Sequence, residues 1–221
     1  MTDAAQQRLN MVESQVMPSD VTDRRILRAM GSVPRERFVP PAYASVAYMD
    51  DAIPLTTPSG PRRGLMAPRV LAKLLQLADF GEKDRVLDVG AGSGYAAAVL
   101  AQFAKSVVAL ESDAALADSM QKTLKSLDIA NVSVVTGELP EGWAKEAPYD
   151  VILVNGTIGL RPQGLLEQLK DGGRLVAVMS QAGVGKATLW RRLGRSFDAW
   201  AAFDAAAPAL PGFEPVPQFA L

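Results

Sequence analysis

The chain contains no cysteine and no histidine. Without cysteine there are no disulfides, zinc–thiolate sites, iron–sulfur clusters or thiol nucleophiles. Without histidine, Ser-His-Asp hydrolysis, imidazole-bound metals and the commonest general base are excluded as well, and no metal is expected. Charge of one sign is also lacking: 23 Lys and Arg against 24 Asp and Glu give a formal net charge of −1. With no long-range positive field to hold a polyanion, nucleic acid is not expected as a partner. Local basic pairs such as Arg62-Arg63 and Arg191-Arg192 read as solvated surface. No apolar run approaches the ~20 residues that span a bilayer, and the first eight residues lack the basic-then-apolar order of a signal peptide. The expected location is the cytoplasm, with no membrane partner.

What is present is an ordinary globular balance, 48% hydrophobic and 21% charged over 221 residues, enough to bury a sizeable core without staples. Two segments near 5–16 and 20–31 read as helices, the second with Asp20 as N-cap and Ile26, Leu27 and Met30 on one face. Residues 33–61 are irregular, because Pro34, Pro40, Pro41, Pro54, Pro58 and Pro61 repeatedly remove backbone donors. A helix over 68–78 follows, with Pro68 in its first turn and Leu71, Leu74, Leu75 and Ala78 as its buried stripe. After Gly81 short apolar strands (85–89, 106–110, 132–135, 150–154, 174–179) alternate with helices (95–103, 114–127). That order predicts a parallel sheet covered on both faces. Strands at 187–193 and 197–204, joined near Gly194, are expected to pair antiparallel at the sheet edge, with a last extended piece over 216–221. The division expected is an N-terminal helical and acceptor-side cap, residues 1–80, and a ligand-binding α/β domain, residues 81–221.

The chemistry concentrates where the first core strand runs into a glycine turn, Asp88-Val89-Gly90-Ala91-Gly92-Ser93-Gly94-Tyr95. Glycines at 90, 92 and 94 let backbone approach a ligand and open a helix whose first amides face the site. The dinucleotide fingerprint G-x-G-x-x-G is not matched, and an acid two residues before the first glycine is a poor neighbour for a pyrophosphate. It suits a cationic ligand. The second strand ends in Glu111, a carboxylate placed to accept both hydroxyls of an adenosine ribose. Gly137-Glu138-Leu139 stands where a loop would meet the adenine edge. Acid, glycine turn and ribose acid together describe S-adenosylmethionine (SAM). Its expected ligands are Asp88, Gly90, Ala91, Gly92, Gly94, Tyr95, Glu111, Ser112, Gly137, Glu138 and Leu139. Glu111 is expected to contact ligand only, so that its loss spares the fold.

These residues and their flanks resemble the protein-L-isoaspartate O-methyltransferase family of class I SAM-dependent methyltransferases. Val33-Pro34-Arg35-Glu36-Arg37-Phe38-Val39-Pro40 is similar to the family's V-P-R-E-x-F-V-P. Ala47-Tyr48-Met49-Asp50 with Ile53-Pro54-Leu55, and the approaches to the strands at 150 and 174, also match. The likeness covers roughly residues 8–180. It implies a doubly wound, mostly parallel seven-stranded sheet with an N-terminal helical extension. It also implies SAM as cofactor and a protein or peptide carboxylate as substrate, methylated at isoaspartyl residues in protein repair. The chain departs from the pattern at Gly64-Leu65-Met66-Ala67-Pro68, where the family has T-I-S-x-P. Met66 holds the position of the family's reaction-centre serine, and Arg69 stands where the family often has histidine. Residues 57–63 replace its G-x-G-Q-T, and Gly183-Val184-Gly185-Lys186 replaces a glycine-glycine-x-Gln loop. An ionised carboxylate attacking a sulfonium methyl needs alignment and water exclusion more than a base, which suits a chain without histidine. Two alternatives stand beside this reading: another small or peptidic acceptor, and a silent domain that binds SAM or its product. A nicotinamide oxidoreductase is a weaker third.

Overall fold

A computed structural model of the protein describes residues 4–55, 63–180 and 184–214. Arg62 and the extended piece expected at 216–221 lie outside these residues.

Seven strands form one sheet in the order β5-β4-β3-β6-β7-β8-β9. They are β3 (Arg85–Val89), β4 (Ser106–Glu111), β5 (Val132–Thr136), β6 (Tyr149–Ile158), β7 (Leu169–Met179), β8 (Lys186–Leu193) and β9 (Ser196–Asp204). From β5 to β7 neighbouring strands run parallel, and β8 and β9 close the edge as an antiparallel meander turning at Gly194. The alternation predicted from sequence is therefore the alternation observed. Chain order reverses direction on either side of the β3/β6 pair, so the carboxyl ends of these two strands mark the switch point of the sheet.

Side chains alternate across the strands, and each face has its own apolar cluster. Val86, Val107, Ala109, Val151, Leu153, Val176 and Val178 face one way. They pack under α3 (Pro68–Ala78), α4 (Tyr95–Leu100) and α5 (Ala114–Ser126). Leu87, Val89, Val108, Leu110, Ile152 and Val154 face the other way. Against them lie α6 (Gln163–Leu166) and the C-terminal residues Leu210 and Phe213. The N-terminal elements α1 (Ala4–Met11) and α2 (Arg24–Ser32) share the first cluster through Met11, Ile26, Ala29 and Met30. The first 80 residues thus share a core with the sheet.

The first expected helix is present, as an α-helix to Met11 that widens into a π turn over Val12–Val16. One expectation is corrected at the N-terminus. The second helix is capped by Asp23, whose carboxylate accepts from the Arg25 amide; Asp20 is left-handed, at φ 64°. Three residues of separation decide this, because the side chain that reaches a free first-turn amide becomes the cap. The segment expected to be irregular also holds a small antiparallel sheet of its own, β1 (Ile53–Leu55) with β2 (Arg63–Leu65). It tolerates Pro54 because the sheet is only two strands wide.

Candidate active site

Asp88 and Glu111 stand on neighbouring strands and point to the same face. The register pairs Asp88 with Ala109, two residues before Glu111. Beyond β3 the chain turns at Gly90 (φ +76°) and Gly92 (φ +58°), conformations that a side chain would strain. The space a side chain would need is also taken: a Cβ at Gly90 would lie 2.7 Å from Leu210 Cδ2, and one at Gly92 3.0 Å from Leu55 Cδ1. This is a cradle in which backbone, not side chain, meets whatever binds.

Asp88 is fully buried, and among the described residues neither of its carboxylate oxygens has a hydrogen-bond partner. Burial pushes its carboxyl up to about 7; nearby Asn155 and the Arg63 guanidinium oppose the rise, and Glu111 adds to it. An unsatisfied buried acid is costly to the fold and marks a place where a cationic or hydrogen-bonding partner is to be received.

Glu111 is also fully buried but well satisfied. Its Oε2 accepts from the Gly92 amide at 2.7 Å, and its Oε1 from the amides of Ser112 at 2.8 Å and Asp113 at 3.1 Å. The remaining outward positions are taken by Arg63, whose Nη2 donates to Oε2 at 2.6 Å and whose Nε reaches Oε1 at 3.3 Å. Arg63 is 4% exposed. The expectation of a solvated pair fails at this residue, because Arg63 lies on β2 facing the groove and finds a buried carboxylate there. Arg191 is exposed, as expected, while Arg192 donates to the carbonyls of Glu167 and Leu169.

The remaining expected ligands divide by position. Ala91 and Tyr95 are buried in and just beyond the glycine turn, and Gly94 opens α4. Ser112 is exposed beside Glu111. Gly137 faces Trp143, whose ring carbon Cζ3 would lie 3.5 Å from a Cβ there. Glu138 is exposed, and Leu139 is 1% exposed within the second apolar cluster. The set suits a cationic nucleoside ligand: an unpartnered acid, a side-chain-free turn and a second acid. Among the described residues no group of acids is arranged to hold a metal.

Met66, at the position of the family's reaction-centre serine, is 1% exposed and packed into the first cluster. Its thioether brings no proton donor and no base. Arg69 is half-exposed and pairs with Asp50 at 3.3 Å. The residue that organises the Met66 loop is Arg35. Fully buried, it donates to the carbonyls of Met66 and Ala47, both at 2.8 Å, and lies 4.8 Å above the Tyr95 ring. Phe38 meets the same ring edge-on at 5.7 Å. The V-P-R-E-R-F segment therefore fastens the Met66 loop to the start of α4. Burial pushes the Tyr95 phenol up to about 12, so it stays protonated. Arg35→Lys can reach only one of the two carbonyls. It should cost about 1–3 kcal/mol, read as a fall in the urea midpoint with an unchanged slope.

Known proteins resemble this chain over most of its length. The family model for protein-L-isoaspartate(D-aspartate) O-methyltransferase (PCMT) matches residues 6–196. A protein-L-isoaspartate O-methyltransferase of Herpetosiphon aurantiacus is 41% identical over 177 residues, 80% of this chain and 77% of that protein. One from Rhodopseudomonas palustris, numbered 1, is 42% identical over 175 residues, 79% of this chain and 70% of that protein. A solved protein-L-isoaspartate O-methyltransferase shares the fold at a TM-score of 0.83 and 24% identity, over 93% of this chain and 66% of that one. A Plasmodium falciparum protein described as a beta-aspartate methyltransferase, solved in complex with S-adenosyl-L-homocysteine, superimposes at a TM-score of 0.76 and 20% identity, over 92% of this chain and 97% of that one. The chain belongs to the protein-L-isoaspartate(D-aspartate) O-methyltransferase family.

Proposed function

We propose that the protein methylates the free carboxylate of isoaspartyl residues in peptides or proteins, with SAM as methyl donor. The observation that carries the reading is the unpartnered Asp88 carboxylate beside the glycine turn. SAM supplies an electrophilic methyl group on a positively charged sulfur. Asp88 offers the counter-charge for such a cation, and the side-chain-free turn at Gly90 and Gly92 lets it approach the backbone closely. Glu111 takes the ribose hydroxyls, and the Gly137-Glu138-Leu139 loop meets the base.

Residues 33–55 and 63–65 then cover the acceptor side. No proton has to be removed from an acceptor carboxylate at neutral pH, so the absence of a base beside Met66 is no obstacle. What Met66 and the Arg35-anchored loop supply is shape and exclusion of water, which favours the desolvated nucleophile. The Arg69–Asp50 pair at the rim is charged and exposed enough to bias which peptide approaches. It is this feature that favours a second reading, in which another peptidic carboxylate is the acceptor.

Transfer of labelled methyl from SAM to a matched pair of peptides, one isoaspartyl and one aspartyl, is the direct test. Base-labile methyl ester on the isoaspartyl peptide alone is expected. Methylation of both, or of neither while another acidic peptide is labelled, would move the assignment to the second reading.

A further inference from the structure

The groove assigned to SAM is filled by the chain itself, at three points. Arg63 places its guanidinium on Glu111, at 2.6 and 3.3 Å, with both side chains almost wholly buried. Leu55 lies over Gly92, and Leu210 over Gly90. These three residues come from two pieces of chain that touch each other. Leu55 and Arg63 are paired across the β1–β2 sheet. A Cβ on Gly64, in that same sheet, would come within 2.7 Å of Pro208 Cγ in the C-terminal segment. That segment is strapped to the end of β6: the Thr157 amide donates to the Pro208 carbonyl at 2.8 Å, and the Leu210 amide to the Thr157 carbonyl at 2.9 Å.

Resting on the SAM reading of the groove, we propose that the β1–β2 sheet is a latch in which Arg63 substitutes for the cofactor on Glu111, and that SAM enters only by exchanging with this guanidinium. The chemistry of the exchange is balanced. A guanidinium brings fixed donors to a carboxylate, as two ribose hydroxyls would, and a positive charge to the Asp88–Glu111 pair, as a sulfonium would. Its removal leaves Glu111 with the amides of Gly92, Ser112 and Asp113, so the carboxylate keeps its orientation while the latch is open. Arg63 regains hydration on leaving, which offsets much of the Coulomb attraction lost. The pair is therefore firm enough to close the groove and weak enough to be displaced.

A ligand that binds only the open form has an apparent dissociation constant raised by the inverse of the open fraction. Arg63→Met keeps the bulk and removes the competitor. It should bind S-adenosyl-L-homocysteine, measured by calorimetry, about tenfold more tightly than the parent. In the unmodified protein, stopped-flow Trp fluorescence should show a binding rate that levels off as ligand rises, at one ceiling for SAM and S-adenosyl-L-homocysteine alike, because opening of the latch limits it. Equal or weaker affinity in a folded Arg63→Met protein, or a rate that climbs in proportion to ligand without a ceiling, overturns the latch and leaves the cofactor reading standing. If neither protein binds either ligand, the cofactor reading falls, and the latch with it. Should Arg63→Met fail to fold, the rate ceiling in the parent decides alone.

Discussion

Glu111→Ala should destabilise the protein by about 3–5 kcal/mol, because the Gly92, Ser112 and Asp113 amides and the Arg63 guanidinium lose one buried acceptor together. The sequence expectation of a harmless loss takes Glu111 to contact ligand only. In the structure it is wholly buried, accepts three backbone amides and pairs with Arg63. For a chain of this size that loss lowers Tm by roughly 10–15 °C. The double variant Arg63→Met/Glu111→Ala should recover only the part that belongs to the ion pair, a coupling of about 1–1.5 kcal/mol in a double-mutant cycle, matching the tenfold expected of the latch. A single-variant loss below about 1 kcal/mol would show that the three amides find other acceptors once the carboxylate is gone. Calorimetric melts of the four proteins at one pH are sufficient.

That correction shows what in the site was legible beforehand. Periodicity and glycine spacing carry through to the structure where local rules act alone. The helix Pro68–Ala78 and the strand Arg85–Val89 begin and end where Pro68, the apolar stripe and Gly90 place them. The placement of Asp88 and Glu111 follows from strand order and the two-residue period. Arg35 and Arg63 were not legible as site residues, for the same physical reason. An arginine reads as solvated unless its partner is known, and the partners here are 31 and 48 residues away in sequence: the Met66 carbonyl for Arg35 and Glu111 for Arg63. Arg35 at least carried a signal, since it sits inside the V-P-R-E-R-F segment. Arg63 carried none, because β2 is three residues long and follows a proline-rich stretch with no alternation to mark it. Met66 shows the converse case. Sequence position singled it out, whereas its burial makes it a packing residue.

Asp88→Asn should divide stability from function. With its carboxyl raised from the ordinary 3.8 to about 7, chiefly by burial, Asp88 holds its proton in the folded state over a range where the unfolded chain has lost it. A group of this kind lowers stability progressively as pH rises from about 4 to 7, and the penalty stays constant above 7. That interval corresponds to roughly 4 kcal/mol at most. An asparagine never ionises, so the variant should melt higher than the parent by several degrees at pH 8. The advantage should shrink as pH falls toward 4. Affinity should move the other way: the parent binds SAM more weakly below pH 7, as Asp88 takes up a proton and loses the charge that attracts a sulfonium. Asp88→Asn should bind SAM weakly, by a factor of about ten to a hundred, at every pH. The demethylated product, which lacks the sulfonium charge, should lose less. Melting curves and SAM titrations at pH 5.5, 7 and 8.5 give both halves. A variant no more stable than the parent at pH 8.5 would mean that Asp88 is satisfied in solution. SAM affinity that ignores pH would remove Asp88 from the cofactor site.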